Sequence, residues 1–182
     1  MSMKVRATVD DLYQVPEHGK AEIIDGELVR FMPTGGIPNR ASGNVYLSLR
    51  LHERAHGGGY AVADNAGFIV DLPHRDSFSP DAAWWTGELT MKFFAGPPAF
   101  AVEVRSENDY GEAAERDLAA KRRDYFAAGT LVVWDVDLLN DDVVKCYGGD
   151  DPDQPRIFRR GEVADAEPAV PGWRLPVDEL FA

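Results

Sequence analysis

The stretch Ala99-Phe100-Ala101-Val102-Glu103-Val104 is apolar at every position but one. A run this short and this apolar suits a β-strand covered on both faces, the arrangement of layered α/β proteins. Its one exception adds a second constraint, because an ionised carboxylate removed from water needs a cationic partner or a metal ion. A chain built around this strand must therefore supply layers on both sides of a sheet and a compensating charge for Glu103.

The flanking sequence is consistent with such layers. Thr8 and Asp11 have capping-box spacing and predict a short helix ending before Pro16. Two β-rich runs, 21–24 and 27–32, surround Asp25-Gly26, a strong hairpin signal. Pro33 and Gly35-Gly36 end the second run, and Asn39 can cap a helix over 40–56 that takes its apolar surface from Val45, Leu47, Leu49 and Leu51 and stops at Gly57-Gly58-Gly59. Two further strands are expected within 60–70 and 78–85, around a loop at 73–76. Beyond the Glu103 strand, 110–128 is rich in Ala, Glu, Arg and Lys and ends at Gly129, and 131–136 reads as a buried strand. Strands at 143–147 and 156–159, separated by a polar loop over 148–155, and a tail over 173–181 close the chain. This order predicts an α/β fold with a mixed sheet flanked by helices. A single domain over 1–182 is expected, with its core at about 8–147 and C-terminal strands and tail at 156–181.

With 45 % hydrophobic and 27 % charged residues among 182, the chain has the composition of an ordinary globular protein and enough apolar surface for a core. No apolar run approaches the roughly 18 residues of a membrane helix. The first residues, Met-Ser-Met-Lys-Val-Arg, lead into polar sequence without the apolar core of a secretory leader. The single cysteine, Cys146, permits no intrachain disulfide and no multi-cysteine metal site. A cytoplasmic protein is expected. The 31 acidic against 19 basic side chains, a formal charge of −12, oppose broad non-specific attraction to nucleic acid.

Three patterns carry possible chemistry. His52-Glu53-Arg54-Ala55-His56 is an H-E-x-x-H sequence on a predicted helix, the arrangement in which zinc peptidases bind metal and activate water. The helix ends directly after the second histidine, however, and no third ligand has recognisable spacing. Histidines near a helix C-terminus are also explained by the helix dipole. In the second pattern Asp81 follows Pro80 just before one apolar strand, and Glu103 lies inside another. Two carboxylates on neighbouring strands can hold a hard cation such as magnesium, which can activate water and neutralise a phosphodiester. Equally, Asp81 can cap a turn, and Glu103 can sit at the sheet rim or pair with Arg105. In the third, Ala114, Leu118, Lys121, Tyr125 and Ala128 fall within roughly 80° of arc on the second long helix, so Lys121 interrupts an apolar stripe. Its ammonium either snorkels to solvent or points at the sheet toward Asp81 and Glu103. Arg116, Arg122 and Arg123 add basic surface beside it.

Pro80-Asp81, Glu103-Val104-Arg105-Ser106, Arg116-Asp117 with Lys121 and Tyr125, Gly129 and Trp134-Asp135-Val136-Asp137 together resemble the Uma-type restriction endonuclease family of the PD-(D/E)XK nuclease superfamily. The N-terminal 22–29 and C-terminal Gly172-Trp173-Arg174-Leu175 and 178–181 extend the resemblance, in order, over about 8–181. The resemblance implies a restriction-endonuclease-like core, a Mg2+ or Mn2+ cofactor held by Asp81 and Glu103, and a catalytic lysine moved from the position of Arg105 to Lys121. It also places Glu22 in the family's N-terminal acidic motif and makes Tyr125 a further candidate. Asn39 stands where members often have a histidine, and Glu107-Asn108-Asp109 where Pro-Ser is common, which adds negative charge beside a phosphate path. The expected function is Mg2+-dependent endonucleolytic hydrolysis of DNA. The competing expectations are a non-catalytic homodimeric module, using apolar surface at Trp84-Trp85 and Phe93-Phe94, and the zinc peptidase.

Overall fold

A computed structural model describes residues 6–16 and 19–182. Residues 1–5, where the expectation about a leader begins, and 17–18 lie outside it. The elements follow in the order α1 (Val9–Tyr13), β1 (Ala21–Ile24), β2 (Glu27–Arg30), α2 (Gly36–His56), β3 (Tyr60–Ala63), β4 (Phe68–Leu72), β5 (Arg75–Phe78), β6 (Ala82–Trp85), β7 (Phe94–Ala95), β8 (Phe100–Val104), α3 (Glu112–Ala128), β9 (Val132–Val136), β10 (Val144–Gly148), β11 (Asp151–Phe158), β12 (Val163–Asp165) and β13 (Arg174–Pro176), with a closing 3-10 turn at Val177–Phe181. The central sheet runs β11-β10-β9-β8-β6-β3, and a second sheet runs β2-β1-β5-β4-β7. Both are mixed, since β8 pairs parallel with β9 and β4 with β7 while the other pairs are antiparallel.

Period-two alternation divides the central sheet into two apolar faces. Ala82, Trp84, Phe100, Val102, Val132 and Trp134 belong to one cluster with Ala41, Val45 and Leu49 of α2. Ala83, Trp85, Ala101 and Val133 belong to the other, with Phe68, Phe78 and Tyr125 from β4, β5 and α3. The Phe78 and Tyr125 rings stack at 4.0 Å. The strand expected to be covered on both faces is β8, and every apolar residue of 100–104 is buried.

Local chemistry accounts for the boundaries. Asp25 and Gly26 take φ of +50° and +73° between Ile24 and its partner Glu27, the two-residue turn that suits the twist of a hairpin. Gly129 ends α3 in the left-handed region, and its N–H reaches Tyr125 O and Phe126 O.

Four expectations require correction. Helix α2 starts at Gly36 rather than residue 40, because the first backbone bond runs from Asn39 N to Gly35 O, so Pro38 lacks only an N–H that the first turn leaves unused. Its buried positions are Ala41, Ser42, Val45 and Leu49, while Leu47 and Leu51 face solvent, as the helical period requires. The segment 60–85 forms four strands rather than two, with the expected loop at 73–76 reduced to a turn before β5. The polar segment 148–155 belongs largely to β11, an edge strand, where Pro152 and Pro155 are tolerated.

Trp134 is fully buried, packs edge-on against Phe100 and beside Trp173, and donates its indole N–H to Asp165 O at 3.0 Å. Trp134→Ala is expected to lower stability by about 3–5 kcal/mol, measured from urea unfolding at equilibrium. A loss below about 1 kcal/mol would show that this aromatic cluster is not the core of the α2 face.

Candidate active site

Pairing across the central sheet aligns four carboxylates. Ala63 is opposite Ala82, Ala82 opposite Val102, and Val102 opposite Trp134. One residue further along each strand, on the face away from α2, come Asp64, Asp81, Glu103 and Asp135, the last two paired directly. Like charges on adjacent strands repel. Cations from the approach to β1, from α3 and from the residue after β8 face this row.

Lys20, just before β1, places its Nζ 2.7 Å from Asp64 Oδ1 and 2.6 Å from Asp81 Oδ1. The second oxygen of Asp81 accepts the backbone N–H of Val104 at 2.7 Å, tying the loop before β6 to the end of β8. Lys121 of α3 lies 2.9 Å from Glu103 Oε1 and 2.9 Å from Glu22 Oε1. Tyr125, one helical turn further on, donates its hydroxyl to Glu103 Oε1 at 2.6 Å. At the far end of the row Arg105 grips both oxygens of Asp135 at 2.7 Å and also pairs with Glu115.

Glu22 anchors the interior end of this network. It is fully buried in β1, accepts Ser79 N at 2.9 Å, and lies 2.5 Å from Arg75 Nη1. Arg75 in turn donates from Nε to Asp124 Oδ2 at 2.8 Å, and His74 Nε2 lies 2.7 Å from Asp124 Oδ1. Burial opposes ionisation of Glu22, but Lys121, Arg75 and the Ser79 N–H outweigh it and hold its pKa below the ordinary value. Burial likewise opposes the Lys121 ammonium, yet Glu103 and Glu22 raise its pKa above that of a free lysine. Glu103 moves the other way, since burial, aided by Asp81, raises its pKa despite Lys121. The Tyr125 phenol is pushed up by burial and by the adjacent Glu103, so it stays a donor.

The structure thus joins Lys121, Glu103, Glu22 and Tyr125 in one set of contacts, with Asp81 attached through the backbone of Val104. The Lys121 ammonium turns inward, and the snorkelling alternative does not occur. Arg105 stands apart, and its ion partners are Asp135 and Glu115 rather than Glu103. The basic surface expected on α3 is smaller than the sequence suggests, because the Arg122 guanidinium stacks 3.7 Å over the Tyr147 ring.

Lys20, Asp64, Arg75 and Asp124 were not recognisable as partners of these residues from the motifs alone. Lys20 left a signal, since it precedes Glu22 by two residues and extended backbone puts such positions on one face. Asp124 lies three residues after Lys121 on α3, hence on a neighbouring part of the helix surface.

The other two chemistries find no support in the geometry. His52 and His56 stack on each other at 4.5 Å, and Glu53 is committed to Arg50 and to the backbone N–H of Ala61 at 2.9 Å, so it serves to join α2 to β3. Among the described residues no three His, Cys, Asp or Glu side chains gather to hold a metal ion. The aromatic surface expected for a homodimer is largely internal: Trp84 and Trp85 are buried, Phe94 stacks on Phe68, and Phe93 on Tyr13. A mostly apolar groove of about 670 Å³ between α1, β4 and the end of α3 shares none of the acidic row.

The site therefore sits in a mixed α/β architecture, on an acid-lined sheet face opposed by a helix-borne lysine. The chain belongs to the Uma2 family, described as "Putative restriction endonuclease", whose profile matches residues 9–178. In fold it is similar to a solved structure described as "a putative nuclease belonging to DUF820" from Anabaena variabilis ATCC 29413, with a TM-score of 0.73, 17 % identity, and coverage of 96 % of this chain and 97 % of that one. No curated protein matches it in sequence. No helix among the described residues is long and apolar enough to cross a membrane.

The depressed pKa of Glu22 has a definite sign for stability. Its contribution is complete above the pKa of a glutamate in the unfolded chain and is lost as pH falls below that value and through the lower folded one. Glu22→Gln is expected to cost about 3–5 kcal/mol near neutral pH, because it leaves buried cations short of a partner. Urea midpoints followed from about pH 7 to about pH 3 should fall less steeply in the variant than in the wild type. Parallel profiles would show that Glu22 is not the carboxylate held ionised.

Proposed function

We propose that this chain is a metal-dependent phosphodiesterase, acting as a DNA endonuclease with Mg2+ or Mn2+. The observation that carries this reading is the Lys121 ammonium held 2.9 Å from both Glu103 and Glu22, on the sheet face that also carries Asp81. Family membership supports the same chemistry.

The donor set suits a hard cation. Asp81 and Glu103 offer only oxygen ligands, and magnesium usually keeps several waters while binding through one or two carboxylates and substrate phosphate. A gathering of three protein ligands is therefore not required. When bound, such a cation supplies charge neutralisation at the phosphodiester and lowers the pKa of a coordinated water.

The remaining roles belong to the chain itself. Asp81 is held by the Val104 N–H at the edge of β8, which keeps one oxygen fixed while the other faces the row. Tyr125 orients Glu103 through its hydroxyl. Lys121 stays protonated under the influence of two carboxylates, which favours donation to a developing negative charge over abstraction of a proton. Glu22, saturated by Arg75, Ser79 and Lys121, positions that lysine rather than serving as a metal ligand.

Asp81→Asn and Glu103→Gln are each expected to abolish Mg2+-dependent nicking of supercoiled plasmid and to remove the metal-binding heat in calorimetry. Lys121→Met should lower the rate by about 10²–10³-fold while leaving metal affinity within a few-fold of wild type. Wild-type cleavage by both carboxylate variants would overturn the assignment.

A further inference from the structure

The acidic row contains a cation of its own, bonded to a carboxylate that the proposed function assigns to the metal. Asp64 directly follows β3 and Asp81 directly precedes its pairing partner β6, and one ammonium, Lys20 Nζ, bonds to both within 2.7 Å. The Lys20 side chain is only 18 % exposed, and it reaches the row from the segment leading into β1, a different sheet. The oxygen it occupies, Asp81 Oδ1, is the one that the Val104 N–H leaves available.

We infer that Lys20 is an internal competitor for the divalent cation at Asp81, so that metal binds only when the ammonium leaves its bridge between Asp64 and Asp81. This rests on the reading of Asp81 as a metal ligand. The bridge holds two neighbouring carboxylates together while no metal neutralises them, and it sets the metal concentration above which the site opens. A site competent for only about a tenth of the time binds metal with a roughly tenfold weaker apparent affinity than its intrinsic one.

Two measurements test this, each with a readout other than activity. Calorimetric titration with Mn2+ should give a dissociation constant at least tenfold lower for Lys20→Met than for wild type. Acetylation of the wild-type protein by an amine-reactive ester, read by mass spectrometry, should modify Lys20 several-fold faster with saturating Mg2+ than without, while exposed Lys92 is unaffected and Asp81→Asn abolishes the metal effect. The labelling needs no substitution at Lys20, so it decides the matter even if Lys20→Met folds poorly. Metal binding that depends on Asp81 but is unchanged or weaker in Lys20→Met, or Lys20 labelling that does not rise with Mg2+, overturns the competitor role and leaves the proposed function standing. Absence of metal binding in both proteins overturns both.

Discussion

Repulsion among carboxylates on adjacent strands is the constraint around which much of this structure is arranged. Asp64, Asp81, Glu103 and Asp135 occupy successive strands on one face of the central sheet, and the pairing of that sheet leaves them no other place. The cations that offset them are Lys20 from the approach to β1, Lys121 from α3, and Arg105 from the end of β8 itself. Two of these tie separate layers to the central sheet. Docking of the β1–β2 hairpin is therefore electrostatic as well as apolar, with Ile23 in the interior and Glu22 and Lys20 facing the charges.

Much of this was legible in the sequence, and the limit of legibility has a physical origin. A carboxylate inside the apolar 99–104 run and a lysine inside the apolar stripe of α3 are each anomalous locally, and two complementary anomalies explain one another when brought together. The hairpin at Asp25-Gly26 and the stop at Gly129 follow from backbone preferences of one or two residues. Asp64 has no comparable mark. Its role depends on the pairing of β3 with β6, a contact across about twenty residues that no local pattern encodes. Arg75 was hidden for another reason, because Pro73 marks a loop whereas β5 begins two residues later.

The overall charge of −12 has a more local meaning in this setting. Net charge governs the potential at a distance, but at the row the relevant quantity is how completely each acid is matched. Glu22 and Asp135 are matched by donors on both oxygens, which makes them fixed structural charges. Asp81 is also matched on both oxygens, by the Val104 N–H and by Lys20, whereas Glu103 gathers its hydroxyl and ammonium donors on the single oxygen Oε1.

Stability alone is a poor explanation for such a network. Desolvating several charges is costly, and buried ion pairs are frequently matched or exceeded in stability by apolar residues of similar volume. The neighbouring positions demonstrate that this fold can bury apolar residues here, since Ala101 and Val133 lie on the same face, two residues before Glu103 and Asp135. A network of this kind is better understood as holding particular atoms in place against their mutual repulsion. The two lysines then differ in their partners: Lys121 is bound by two glutamates, one of which, Glu22, is fully buried and itself saturated, whereas Lys20 bridges two aspartates of which Asp64 is the more exposed. The first is built to stay where it is, and the second is the cation that an incoming charge can most readily replace.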